Sequence, residues 1–262
     1  MITGILSISN GSGLKYPYPV VVSNLQRFCD DVIVGVDPNF PLDRSTLELL
    51  NFSNVKLVDA VWNLENRQGG TEIALQMDNL VDLAKEQGSD WVVVMQADEL
   101  IHDEDFSMLR AFMERYAGSD THGFSMERIY FWKDLKTIRT DWNARMVRIF
   151  QPGAYSFLAE GTSKDGMYSG PVKKGVEVYL PYKIYHYSRV GSPASISHRV
   201  RNLDAFFHPD EALIPKEELP EYDFIPRAYD NFSVSGFPEE VGGEFMKYLG
   251  KHPVGVSEWY DE

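Results

Sequence analysis

Through its first part the chain alternates short, nearly continuous apolar runs with stretches whose apolar positions recur at helical spacing. Residues 2–9 and 31–36 are such runs, and residues 20–28 between them carry the helical period, so the pattern predicts strand, helix, strand. The alternation then repeats. Residues 45–50 open on a Ser/Thr cap and read as helix, 55–61 as strand, 71–87 as a long amphipathic helix stopped at Gly88, and 91–95 as a buried strand. Strands returned by intervening helices imply a parallel sheet, in which ligands bind beyond the carboxyl ends of the strands.

Farther on, residues 103–116 read as a helix ended at Gly118, and 123–132, 145–150 and 176–187 read as strands with no helix between them. The second half of the sheet is therefore expected to be mixed. Residues 194–207 read as a helix, and from Pro209 onward the chain is rich in Pro, Glu and Tyr with little period, as expected of a wrapping arm or acceptor-side appendage. The expected organisation is one α/β domain over residues 1–207 with a C-terminal extension over 208–262 packed on it.

Composition narrows the picture. With 262 residues, 44% of them apolar, the chain can bury a substantial core. A net charge of −14 with no Lys/Arg run disfavours generic affinity for nucleic acid or anionic lipid, although acidic excess alone also serves solubility. Cys29 is the single cysteine, which excludes an intrachain disulfide and reads as a buried structural thiol. The N-terminal run is short and lacks a basic leader, and no stretch approaches a membrane span, so the expected location is the cytoplasm.

The most informative segment is Asp90-Trp91-Val92-Val93-Val94-Met95-Gln96-Ala97-Asp98-Glu99, an apolar strand running straight into two carboxylates. A carboxylate at the end of a central strand faces the ligand crevice, where Mg²⁺ or Mn²⁺ takes a few protein oxygens and leaves positions for phosphate oxygens. Asp98 is the first metal candidate; the competing role is capping of the helix expected from Asp103.

This segment resembles the glycosyltransferases of the GT-A fold, particularly family two and its bacterial and phage relatives, which carry an Asp-x-Asp-like motif after a central strand. Here Gln96 stands at the first Asp, giving Gln96-Ala97-Asp98-Glu99. A second segment, Tyr185-His186-Tyr187-Ser188-Arg189-Val190, followed by Ser192-Pro193 and a helix running to Phe206-Phe207-His208-Pro209-Asp210, resembles the same branch's His-Tyr motif and closing His-Asp pattern. The resemblance implies a Rossmann-like GT-A fold with a mixed, mostly parallel sheet and a nucleotide-sugar donor, UDP being the commonest carrier. It also implies a hydroxyl acceptor, whether saccharide, glycoconjugate or modified base.

It places Asp98 and His186 on Mn²⁺ or Mg²⁺, since neutral imidazole is a good ligand for Mn²⁺ and its neighbours, and puts Gln96 near the donor ribose or phosphate. The alternative for His186 is a satisfied histidine packed among Tyr182, Tyr185 and Tyr187. Ser9 and Asn10 end the first strand and Asp37 the second, where the family holds base and ribose; Asp37 before Pro38 is equally a turn former. Gly11-Ser12-Gly13 is a weak candidate for phosphate contact, and Arg67, in Asn66-Arg67-Gln68-Gly69-Gly70, is a candidate for the pyrophosphate or a solvated loop residue. For the base that deprotonates the acceptor, Glu160 and Asp165 are candidates, Glu160 first, with Glu127 as a rival; Glu99 is a further catalytic candidate whose role the resemblance leaves open.

A sugar nucleotidyltransferase shares the fold type and metal need but usually has a longer basic, Gly-rich loop than Gly11-Ser12-Gly13-Leu14-Lys15. A binding module without turnover is the non-enzyme alternative.

Overall fold

A computed structural model of the chain describes residues 1–63, 65, 70–141, 145–158, 176–204 and 244–261. In the first half, β1 (Ile2–Ile8), α1 (Tyr18–Phe28), β2 (Asp31–Val36), α2 (Pro41–Leu50), β3 (Val55–Asp59), α3 (Thr71–Glu86) and β4 (Trp91–Val94) follow the predicted alternation. β3, β2, β1 and β4 lie side by side in that order and all pair in parallel, the Rossmann-like arrangement expected.

Side-chain alternation along these strands feeds two cores. Leu6, Ile8, Val32, Val34, Val36, Trp91 and Val93 pack toward α1 (Val21, Val22, Leu25, Phe28). Ile5, Ile33, Val92 and Val94 face α3 (Ala74, Met77, Leu80, Val81) on the other side. A strand buried on both faces must be apolar at successive positions, which is why these runs are continuous. Gly35 lies under α3, where a Cβ would come within 2.9 Å of Ala60 and 3.3 Å of Leu80. Cys29 is buried beside Gly4, a free structural thiol as expected.

The second half is mixed. Strand β5 (Glu99–Ile101) is followed by a 3₁₀ turn (Asp103–Asp105) and α4 (Phe106–Tyr116). Then come β6 (Thr121–Lys133), β7 (Thr137–Arg139), β8 (Arg145–Phe150), β9 (Val176–Val190) and α5 (Pro193–Asp204). β8 joins the parallel half by pairing antiparallel with β4 and continues to β6, while the long β9 runs parallel to β6 and antiparallel to β5. Beyond these, β10 (Phe245–Lys247) pairs with β7, and α6 (Val256–Asp261) buries Val256 completely.

Of the elements whose starts differ from the sequence expectation, two have a clear local cause. Helix α2 begins at Pro41 rather than Ser45, because Pro at the first helical position needs no N–H partner and brings a helical φ; the Ser45 hydroxyl instead donates to the Leu42 carbonyl. The helix expected from Asp103 begins as a 3₁₀ turn capped by the His102 ring, which accepts the Glu104 amide.

Candidate active site

Beyond the end of β4 the chain turns through Met95-Gln96-Ala97-Asp98, and the Glu99 amide donates to the Gln96 carbonyl at 3.1 Å to close the turn. β5 then pairs with β9 in a register that sets Glu99 opposite His186, and the Tyr187 amide donates to the Asp98 carbonyl at 2.9 Å. These contacts bring His186 Nε2 to 3.6 Å from Asp98 Oδ1, with the two residues only 4% and 5% exposed. The two motifs singled out in the sequence therefore meet in space. His102, not Asp98, caps the turn before α4.

Glu99 points elsewhere. Its carboxylate takes a bidentate grip from Arg148, Nε to Oε2 at 2.8 Å and Nη2 to Oε1 at 3.0 Å, and pairs with Arg128 as well. It also accepts the Gln96 amide, so it pins the turn that carries Asp98. Burial raises the Glu99 pKa, but Arg128 and Arg148 overcome it and hold the carboxyl down at about 2. The described partners of this carboxylate are therefore Arg148, Arg128 and the Gln96 amide, a positioning arrangement for the turn. Arg128 and Arg148 lie at inward positions of apolar strand faces, the one sequence signal that would have revealed the pin.

Asp98 has the opposite environment. Burial, then the neighbouring Glu99 charge, push its pKa up to about 6 against the pull of Arg199, Arg128 and Arg189. Burial, followed by Arg128, drives His186 well below its ordinary value and leaves a neutral imidazole, with the Tyr130 ring edge-on 5.0 Å away. A carboxylate oxygen and a neutral ring nitrogen this close suit one divalent cation, whose ligand atoms stand roughly 3 Å apart at ligand distances of about 2.1 Å. Among the described residues no group of three His, Cys, Asp or Glu side chains completes a cage. The pair fits an Mn²⁺- or Mg²⁺-type site whose remaining positions are filled by a ligand and water.

The donor-side candidates are gathered by the ends of β1 and β2 but bond mainly to one another. Asp37 is fully buried and accepts the Asn39 amide and side chain at Oδ1, 3.0 Å each, and the Ser9 hydroxyl at Oδ2, 2.8 Å. These bonds brace the turn after β2. Asn10 takes a left-handed φ of 59°, and its side chain folds against Gly13, where a Cβ would collide with Asn10 Oδ1. The Gly11 and Ser12 amides both donate to buried Asp43 at 2.7 Å, so an internal carboxylate takes the place that a phosphate would need in that loop.

Gln96 is half-buried in the turn ahead of Asp98. Glu127 sits in a surface pair with Lys183 and accepts the Tyr179 hydroxyl at 3.1 Å. Arg67, Glu160, Asp165 and His208 lie outside the described residues. His252 is structural: its Nε2 donates to the Leu135 carbonyl at 2.9 Å and its Nδ1 meets the Tyr187 hydroxyl at 3.0 Å. A cleft of about 440 Å³ between the end of β3 and α3, lined by Asn63, Glu72, Gln76 and Asn79 among others, does not include Asp98 or His186.

Residues to which the sequence reading gave no role also bear on Asp98. Tyr16 follows the β1 loop, Arg189 stands one residue before the end of β9, Arg199 lies in α5 and Tyr260 in α6, and the charges of Asp98 and Arg199 bear on both tyrosines.

No family model matches the chain, and no curated protein does. Solved structures give partial overlaps. A putative glucose-1-phosphate thymidylyltransferase from Bacillus anthracis overlaps at 16% identity and a TM-score of 0.46, covering 78% of this chain and 94% of that one. S. aureus TarS, residues 1–349, overlaps at 16% identity and 0.41, covering 77% and 64%. The 4-diphosphocytidyl-2C-methyl-D-erythritol synthase of Anaerococcus prevotii overlaps at 12% identity and 0.38, covering 58% and 70%. Overlaps of this size leave the function to be argued from the site itself.

Proposed function

We propose that this chain is a metal-dependent glycosyltransferase that moves a sugar, of the hexosyl class, from a nucleoside-diphosphate donor, UDP being the first candidate carrier, to a hydroxyl acceptor. The observation that carries the reading is the pairing of the Asp98 carboxylate with the neutral His186 imidazole at 3.6 Å, at the carboxyl end of β4. Bound there, Mn²⁺ or Mg²⁺ supplies charge stabilisation to the leaving diphosphate. Asp98 and His186 hold the site, Glu99 with Arg128 and Arg148 fixes the turn that presents Asp98, and Gln96 faces the donor. Glu160 remains the proposed acceptor base, Arg67 a proposed pyrophosphate contact, and Ser9, Asn10 and Asp37 a proposed frame for the nucleoside.

The commitment of the Gly11 and Ser12 amides to Asp43 favours this reading over a sugar nucleotidyltransferase, which would use such a loop to cradle a triphosphate. No described helix is long and apolar enough to cross a membrane.

The test is a thermal-shift series with UDP, GDP, CMP, dTDP and the UDP- and GDP-sugars, each with Mn²⁺ or EDTA, on wild type and Asp98→Ala. A ligand that binds the native state raises its apparent stability by mass action. A Mn²⁺-dependent shift with one nucleotide, lost in Asp98→Ala, is expected; no shift with any of them overturns the proposal. Release of free nucleotide on turnover separates an enzyme from a module that only binds.

A further inference from the structure

The cleft of about 440 Å³ between the carboxyl end of β3 and α3 lies at the edge of the sheet, where β3 ends the strand order. Its volume is that of a small-molecule pocket. The α3 wall carries Glu72, Gln76, Asn79 and Leu83, whose three- and four-residue steps put them on one face of the helix. Gln76 is only 5% exposed, and its hydrogen bonds are one-sided. Both leave from Nε2, to the Val61 carbonyl at 2.9 Å and to Glu72 Oε1 at 2.7 Å. Its oxygen, Oε1, accepts from no described group and is left to the cleft, although a buried amide oxygen ordinarily finds a donor.

The rest of the wall decides what chemistry fits. Asn63 spends its oxygen on the Glu65 amide at 3.1 Å and keeps its amide hydrogens to donate, while Asp59 gives one carboxylate oxygen to Arg44 and keeps the other. Among the described lining residues two are carboxylates and none is Lys, Arg or His, so the cleft repels an anion. An ammonium group would satisfy the oxygens but accept nothing from Asn63. A hydroxyl does both, donating to one neighbour and accepting from another. Leu75 and Val61, 37% and 63% exposed, set apolar surface beside these polar groups, which suits a molecule whose C–H faces alternate with hydroxyls.

We propose that this cleft binds a neutral polyhydroxylated ligand, a mono- or disaccharide, at a second site apart from the Asp98–His186 pair. Gln76 Oε1 and the second oxygen of Asp59 take hydroxyl hydrogens, Asn63 donates to a hydroxyl oxygen, and Leu75 and Val61 meet the C–H faces of the ring. The site stands whatever reaction the Asp98–His186 pair supports, since neither of those residues lines it.

The experiment is an NMR titration of the isotope-labelled full chain with glucose, galactose, N-acetylglucosamine, maltose and lactose. Inorganic phosphate and spermidine serve as the anionic and cationic comparators. Wild type is expected to give a saturable response to at least one saccharide, at the α3 backbone amides and the Gln76 and Asn63 side-chain amides, by about 50 mM, which fills a millimolar site. Gln76→Met is expected to weaken that binding by about threefold to tenfold, the range of one hydrogen bond. Asn79→Trp, which fills the cleft from an exposed position, is expected to abolish it, and Asp98→Ala to keep it. The inference is overturned if no saccharide perturbs these residues, if phosphate or spermidine binds the cleft more tightly than every saccharide, or if a folded Gln76→Met or Asn79→Trp binds as wild type does. Should Gln76→Met not fold, Asn79→Trp decides. Loss of the response in Asp98→Ala places the sugar at the proposed metal site and overturns the inference too. A nucleotide-dependent thermal shift without saccharide binding here sinks this inference alone, and saccharide binding here without any nucleotide shift sinks the transferase reading alone.

Discussion

Glu99 and Arg148 face each other through two parallel hydrogen bonds, 2.8 and 3.0 Å, in a position where neither side chain meets solvent. Removing one partner of a buried pair strands the other charge, so Glu99→Gln is expected to lose about 3–5 kcal/mol of stability, read as a lower denaturant midpoint. The pH dependence has a definite sign. The folded pKa, about 2, lies below the ordinary 4.5, so the stabilisation is complete above about pH 4.5 and is lost as pH falls toward 2. The acid limb of the stability profile in that window should flatten in Glu99→Gln.

Asp98 is expected to behave in the reverse way. Its folded pKa of about 6 exceeds the ordinary 3.8, so its contribution is favourable below about pH 3.8 and is lost as pH rises through 6. Metal-free Asp98→Asn should therefore be more stable than wild type at pH 7 to 8, by up to about 3 kcal/mol, while losing any Mn²⁺-dependent stabilisation. Chemical denaturation in EDTA and in Mn²⁺ checks both halves; equal stability of the two proteins in EDTA at pH 8 would contradict it.

Asp43 accepts the Gly11 and Ser12 amides of the loop after β1. Asp43→Ala frees the Gly11 and Ser12 amides and is expected to cost about 1–3 kcal/mol, the range for leaving buried donors unsatisfied. Added phosphate should restore part of that loss in the variant and none in wild type, which a thermal melt with and without phosphate reads directly.

Glu160 is testable through kinetics. If it deprotonates the acceptor, Glu160→Gln lowers kcat by about a hundredfold to ten-thousandfold and leaves the nucleotide-induced thermal shift unchanged. Full transfer activity in Glu160→Gln would remove it from the mechanism.

The parallel half of the fold was legible because burial on both faces writes itself into consecutive residues, as in residues 91–94. The place of Asp98 in the turn just beyond β4 was legible for a related reason, since a polar residue directly after such a run ends it. The three-residue strands β5, β7 and β10 were not, since three positions carry no measurable period. The commitment of Glu99 was hidden because its partner Arg148 lies 49 residues along the chain. Adjacent carboxylates look alike in sequence, and only the third dimension sends one to a pair of arginines and the other to a histidine. Asp37 and Asp43 show the same limit, since a loop acid that completes a turn and one that holds a ligand have the same neighbours in sequence.

Strand β9 uses neighbouring positions for opposite duties. His186 turns toward Asp98, while Tyr187 stacks on Phe131 at 4.7 Å and bonds to His252 near the end of the chain. Because side chains of a strand alternate, inserting or deleting one residue between Ile184 and His186 would exchange these duties, setting a phenol beside Asp98 and an imidazole among the aromatic rings. This stretch should therefore accept many substitutions at its edges yet no change in length, and natural variants of the chain should show indels in the flanking loops but not here.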